Sequence, residues 1–129
     1  MVGVAIKKPV KGSTVQIITM DCLASSLVDD LVRIDEANQN TVLSMSDNTL
    51  PKPVIGMIIE KITATSCKVA VSGVFADPES TTSGVLYIST SGILTRTPPI
   101  SGYRQKIGYS LGNGLFDLKP EKTLIKVNP

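Results

Sequence analysis

The chain has 129 residues, 42% of them hydrophobic and 19% charged, with a formal net charge of +2. That is enough for one modest core and too little charge for nucleic-acid binding to be a main role. The absence of histidine excludes Ser-His-Asp and Cys-His nucleophilic sites, HExxH zinc sites and facial iron triads. With no tryptophan and only Phe75, Phe116, Tyr87, Tyr103 and Tyr109 as aromatics, a base- or sugar-stacking surface has little to build on.

In chain order, the first dozen residues carry Gly3, Pro9 and Gly12 and read as an extended arm, residues 1–12, preceding a single β domain over 13–129. Short β-branched runs separated by Gly, Pro, Ser, Asn and Asp then dominate. Val15 to Met20 reads as a strand, followed by Leu27 to Ile34 and Thr41 to Met45, with turn chemistry at Asp47-Asn48. Helical spacing of Leu23, Leu27, Val28 and Leu31 behind Asp21 offers a short helical turn as the alternative within Asp21 to Ile34. Val54 to Ile62 is the most apolar run and reads as a central strand. Cys67 to Phe75 alternates, with Cys67, Val69 and Val71 on one face, and needs a bend at Gly73. Ala76 to Gly84 reads as a polar loop. Val85 to Ile88 and Ile93 to Thr95 form a hairpin, ended by Pro98-Pro99. Tyr103 to Leu111 and Leu115 to Leu118 flank the turn Gly112-Asn113-Gly114, and Thr123 to Val127 is a last strand.

A weak internal repeat runs through these strands. Residues 31–34 resemble 85–88, 42–44 resemble 93–95, and Ile55-Gly56-Met57 resembles Ile107-Gly108-Tyr109, at offsets of 54, 51 and 52. The expected fold is therefore all-β: a small sandwich or barrel of about eight to ten short antiparallel strands, from two similar halves, with an extended N-terminal arm.

Charge is unevenly distributed. Residues 1–20 carry +3, residues 21–50 carry −5, residues 51–80 balance, and residues 81–129 carry +4. Such segments either attract neighbouring copies or simply solvate exposed faces. Asp29-Asp30 with Asp35-Glu36 is the one carboxylate cluster. Hard cations favour carboxylates, but the spacing matches no EF-hand loop, and an extended backbone would send Asp29 and Asp30 to opposite faces. The reading is an acidic patch, solvated or between subunits, without a metal. Arg104 and Lys106 share a strand face that either meets an acidic partner or is ordinarily exposed. Cys22 and Cys67 have no CxxC spacing; each lies beside apolar residues and reads as a buried thiol, although the spacing does not exclude a disulfide. No run approaches the roughly 18 apolar residues of a membrane span, and the lysines at 7 and 8 follow the apolar start instead of preceding it, unlike a secretory signal. No enzyme activity, cofactor, small-molecule substrate, membrane or nucleic-acid partner is expected.

Gly84-Val-Leu-Tyr-Ile-Ser-Thr-Ser-Gly-Ile-Leu-Thr95, then Thr97-Pro98-Pro99, then Gln105-Lys-Ile-Gly-Tyr-Ser-Leu-Gly112 resembles a pattern in small structural proteins of tailed bacteriophages: a G-x-x-Y-x-S strand, a G-x-L-T hairpin, P-P, and Q-x-[IV]-G-x-[AS]-[LS]. Residues 54–74 extend the likeness upstream, while the first 40 take no part. The resemblance implies a virion protein assembled in the host cytoplasm, most specifically a capsid decoration or cement protein. It would act as a homotrimer on the major capsid protein, with Val2, Val4, Ile6, Lys7 and Lys8 of the arm reaching a neighbouring copy or the shell. Asp29, Asp30, Arg104 and Lys106 would be further partner contacts. A collar, tail or fibre-base module is the alternative reading, and a carbohydrate-binding β domain a second. No catalytic residue is implied.

Overall fold

The computed structural model describes residues 7–127. Its described residues contain strands and no helix, as expected for an all-β chain: β1 (Lys8–Pro9), β2 (Gln16–Asp21), β3 (Leu31–Asp35), β4 (Asn38–Ser44), β5 (Gly56–Thr63), β6 (Ser66–Ala76), β7 (Gly84–Ile88), β8 (Leu94–Thr95), β9 (Gly102–Arg104), β10 (Lys106–Gly112), β11 (Leu115–Leu118) and β12 (Ile125–Val127). The order β2-β4-β3-β5-β6 closes on itself because β2 also pairs with β6, giving a five-stranded barrel. The path continues from β6 through β11, β10, β7 and β8 as a second sheet, while β9 and β12 form a separate ribbon.

The 11-residue β6 serves both units. Its first part, Ser66 to Ser72, pairs with β2 and β5. From Gly73 to Ala76 it pairs with β11, and Phe75 and Ala76 also take β1 as a partner. The bend expected at Gly73 marks this change of partners. Gly73 has φ +137, and a Cβ there would lie 2.7 Å from Val15 Cγ2, so a side chain is resisted by both conformation and space.

Consecutive residues of β3, β5 and β6 face two different cores, since side chains alternate across a strand. Val32, Ile58, Cys67 and Val69 join Cys22 and Val42 inside the barrel. Leu31, Met57 and Ala70 face outward instead, where Val54, Phe75, Leu86, Ile88, Ile107, Phe116 and Leu118 complete a second core against the other sheet. Phe75 and Phe116 are fully buried, with ring centroids 6.3 Å apart. Burial on both faces explains why Val54 to Ile59 is apolar without alternation, while Glu60 and Ile62 beyond it are exposed.

The sequence repeat corresponds to a repeat of pairing. β3 lies between β4 and β5, with β6 following; β7 lies between β8 and β10, with β11 following. Val32 stands opposite Gly56 in the first set, and Leu86 opposite Gly108 in the second. A Cβ on Gly56 would run into the carbonyl oxygen of Ala70 on β6, and one on Gly108 into that of Asp117 on β11. Two buried amides tie the halves together. Gln105 accepts from Val54 N at 2.8 Å and donates to Val54 O and Glu121 O. Asn48 donates to Ser101 O and Tyr103 O.

Several local expectations change. Neither a helical turn nor a full-length strand occupies Leu27 to Ile34: Asp29 has φ 76, and the strand starts at Leu31. Tyr103 to Leu111 is two strands, divided at Gln105, because the side-chain bonds of Gln105 hold the chain where it leaves the β9–β12 ribbon for the second sheet. One pairing is parallel, the single bridge Asp21↔Thr41 between β2 and β4. Lys8 and Pro9 of the expected arm form the short edge strand β1, and Val10 N donates to Val74 O at 3.0 Å.

Replacing Gly56 or Gly108 by Ala should destabilise the protein by about 3 kcal/mol, and by similar amounts at the two sites, because both force apart strands in equivalent positions. Urea unfolding of the two variants checks this.

Candidate interaction surfaces

A cleft of about 480 Å³ lies where the barrel meets the second sheet. It brings together three residues singled out in the sequence, Lys7, Asp29 and Asp30, with Asp77, Glu79, Arg96 and Ser110 also on its walls. The turn at Asp29-Asp30 is fastened to β5 by Asp29 N donating to Ile58 O at 2.8 Å and Ile58 N donating to Asp30 O at 3.0 Å. Asp30 Oδ2 accepts from Leu27 N and Ser44 Oγ, at 2.9 and 2.7 Å. Lys7 N donates to Asp29 Oδ2 at 3.4 Å. Asp77 accepts from Glu79 N and Ser80 Oγ. Asp30 and Asp77 thus hold their own loops, in the manner of turn-capping carboxylates. Ser110 Oγ is buried with no hydrogen-bond partner among the described residues.

The other half of the acidic run goes elsewhere. Asp35 accepts from Ala37 N within the β3–β4 turn, and Glu36 forms an ion pair with Lys52. Among the described residues no group of three or more carboxylate or cysteine side chains is placed to hold a metal ion.

Arg104 and Lys106 fall in different sheets. Arg104 pairs with Ile125 on β12, donates to Pro99 O at 3.1 Å and is only half-exposed. Lys106 is exposed at the start of β10, opposite Tyr87. They do not form one basic face, because the chain changes sheets at Gln105 between them. Lys8 lies exposed on β1, while Val2, Val4 and Ile6 lie outside the described residues.

The surface that the sequence reading missed is the outer face of the second sheet. Cross-strand pairs on that face are Tyr109 with Val85 and Asp117, Asp117 with Val74, Leu115 with Ala76, and Lys106 with Tyr87. Tyr109 is 50% exposed and Leu111 48%. This is a largely apolar patch around one carboxylate, with a lysine at its rim. Its signal was present in the alternation Tyr109, Leu111 and Val85, Tyr87, but alternation alone does not say which face is covered. The barrel contributes exposed Ile17 and Ile18 on β2, whose other edge pairs, among the described residues, only through Asp21.

The barrel interior holds polar chemistry of its own. Lys61 is only 5% exposed, and its ammonium donates to Leu23 O at 3.0 Å and Ser26 O at 2.8 Å, anchoring the 22–30 loop over the barrel end. Cys22 and Cys67 are both buried thiols, as expected. Burial, with the adjoining Cys22 thiol, pushes the Cys67 thiol up to about 12. Since the folded value lies above the ordinary 9.0, the unfolded chain loses this proton first as pH rises. Cys67 therefore contributes stability that is complete below pH 9 and is lost as pH rises from there through the folded value of about 12. The loss has a limiting slope of about 1.4 kcal/mol per pH unit. The difference in unfolding free energy between the parent and Cys67→Ser, followed across this range, should show that slope.

Compared with protein-family models, with curated proteins and with solved structures, the chain matches none.

Proposed function

We propose that this chain is a non-enzymatic structural protein of a tailed-bacteriophage virion, a decoration or cement protein that binds the major capsid protein at the head surface as a homotrimer. The observation that carries this reading is the outer face of the second sheet. It presents Tyr109, Tyr87, Leu111, Val85 and Leu115 from adjacent strands with Asp117 among them, in a chain whose 84–112 segment resembles the virion-protein pattern. Tyrosines that offer an apolar ring and a polar tip are efficient interface anchors. Burial of roughly 1,200–2,000 Å² in total marks a stable interface, and a sheet face widened by β1 at its edge supplies a broad platform for one. Lys8 and Pro9 of the expected arm join the edge of that sheet, and in this reading the arm reaches a neighbouring copy or the shell.

Changing Tyr109 and Leu111 together to Lys should leave the β circular dichroism intact and lower occupancy on purified particles at least tenfold. Unchanged occupancy would overturn the assignment of this face. Deleting residues 1–6, which spares β1, should weaken attachment without unfolding the barrel. Quantitative mass spectrometry of particles should find the chain in simple stoichiometric ratio to the major shell protein. A handful of copies per particle would move it to the collar, tail or fibre base, and absence from particles would refute a virion role.

A further inference from the structure

Strand β2 closes the barrel and is held unevenly on its two sides. β2 is held to β6 by a ladder from Gln16 to Asp21, but to β4 by the single bridge Asp21↔Thr41. Cys22 follows directly after that bridge. Its backbone N donates to the O of Thr65 in the β5–β6 turn at 2.9 Å, while Cys67, two residues further on and near the start of β6, stands opposite Met20. The two side chains are thus carried by neighbouring backbones, a diagonal pair at the end of an antiparallel ladder. Both point into the same interior cluster with Val32, Val42, Ile58 and Val69, where the two thiols adjoin. Among the described residues, the contact of Cys22 Sγ to backbone is a long one, 4.0 Å to Ala64 O.

We propose that Cys22 and Cys67 are a latent disulfide site, joined by exchange with a low-molecular-weight disulfide such as oxidised glutathione, and that the bridge locks the end of the β2–β6 ladder. The thiolate of Cys22 attacks one glutathione sulfur, displacing a glutathione thiolate and leaving a mixed disulfide on the protein. The thiolate of Cys67 then attacks Cys22 Sγ and expels the second glutathione. Two protein thiols lose two protons and two electrons, and one oxidised glutathione becomes two reduced molecules.

The order follows from placement. Cys22 lies outside the strand, at the root of the 22–30 loop with exposed Leu23 and Leu27 beside it, so that loop opens the shortest route to reagent. Cys67 is buried near the start of β6 with no exposure and serves as the resolving thiol. Burial keeps Cys67 protonated at neutral pH, so exchange is slow in the folded state. The reduced barrel is stable to brief oxidant, and the staple forms on prolonged exposure. Because the bridge fixes residues 45 positions apart, it constrains the unfolded chain as well as the end of the β2–β6 ladder. This inference is independent of any role in a virion.

The test uses the full chain under native conditions with excess oxidised glutathione, followed by intact mass and peptide mapping. The expected product is a monomer that has lost two hydrogens, carries no glutathione and yields a Cys22–Cys67 linked peptide. Its Tm should rise by about 5 °C or more and return on reduction. Cys67→Ser should instead accumulate a glutathione adduct at Cys22. A stable adduct on the parent chain, disulfide-linked dimers, thiols that react only in denaturant, or a bridge that lowers Tm would each overturn the proposal. The mass measurement on the parent chain decides the question even if the variant does not fold.

Discussion

Strand β6 gives one backbone to two sheets, and the rest of the molecule is arranged around that sharing. Up to Ser72 it completes the barrel; from Gly73 it supplies the edge on which β11 and β1 assemble. Val69 and Ala70, adjacent in sequence, are buried in different cores. The strand can do this because alternation sends neighbouring side chains to opposite faces, and because Gly73 lets the backbone turn against Val15 where a Cβ would collide. A change at Gly73 would therefore disturb the barrel and the second sheet together.

Repetition supplies the second layer of organisation. The two halves use the same pairing order, and each places a glycine against the carbonyl of the following strand. Their cores differ in kind. The first half curls into a closed barrel around small and β-branched side chains with two thiols; the second stays open and packs Phe116, Leu118 and Ile107 onto the outside of that barrel. An open sheet has an outer face, and here that face is left apolar. Gln105 and Asn48 fix the junction through buried side-chain amides, which are costly to leave unpaired and so define one geometry for it.

This arrangement separates stability from contact. Interior polar groups are turned to structural ends: Lys61 ties down a loop, and Asp30 and Asp77 brace the turns that carry them. The outer sheet face has no such internal task, and it is there that Tyr109 and Leu111 present apolar area to solvent. A protein whose proposed work is association needs little more than such a face held rigidly by the core behind it.

The sequence by itself determined the strand runs, most turns, the bend at Gly73, the repeat and the burial of both cysteines. Each is written in local alternation, turn residues or close-range composition. Only the tertiary structure decided that β2 returns to β6, that Asp21 meets Thr41 in parallel, and that Gln105 divides Tyr103 to Leu111 between two sheets. The same is true of the candidate sites. Asp29 and Asp30 look like residues of an interrupted strand until Ile58, far along the chain, fixes them as a turn. Arg104 and Lys106 look like neighbours on one face until Val54 and Glu121 capture the glutamine between them. The exposed face of β10 and β7 carries the same alternation as a buried one. Which side of a strand is covered depends on partners distant in sequence, and periodicity records the alternation without naming the partner.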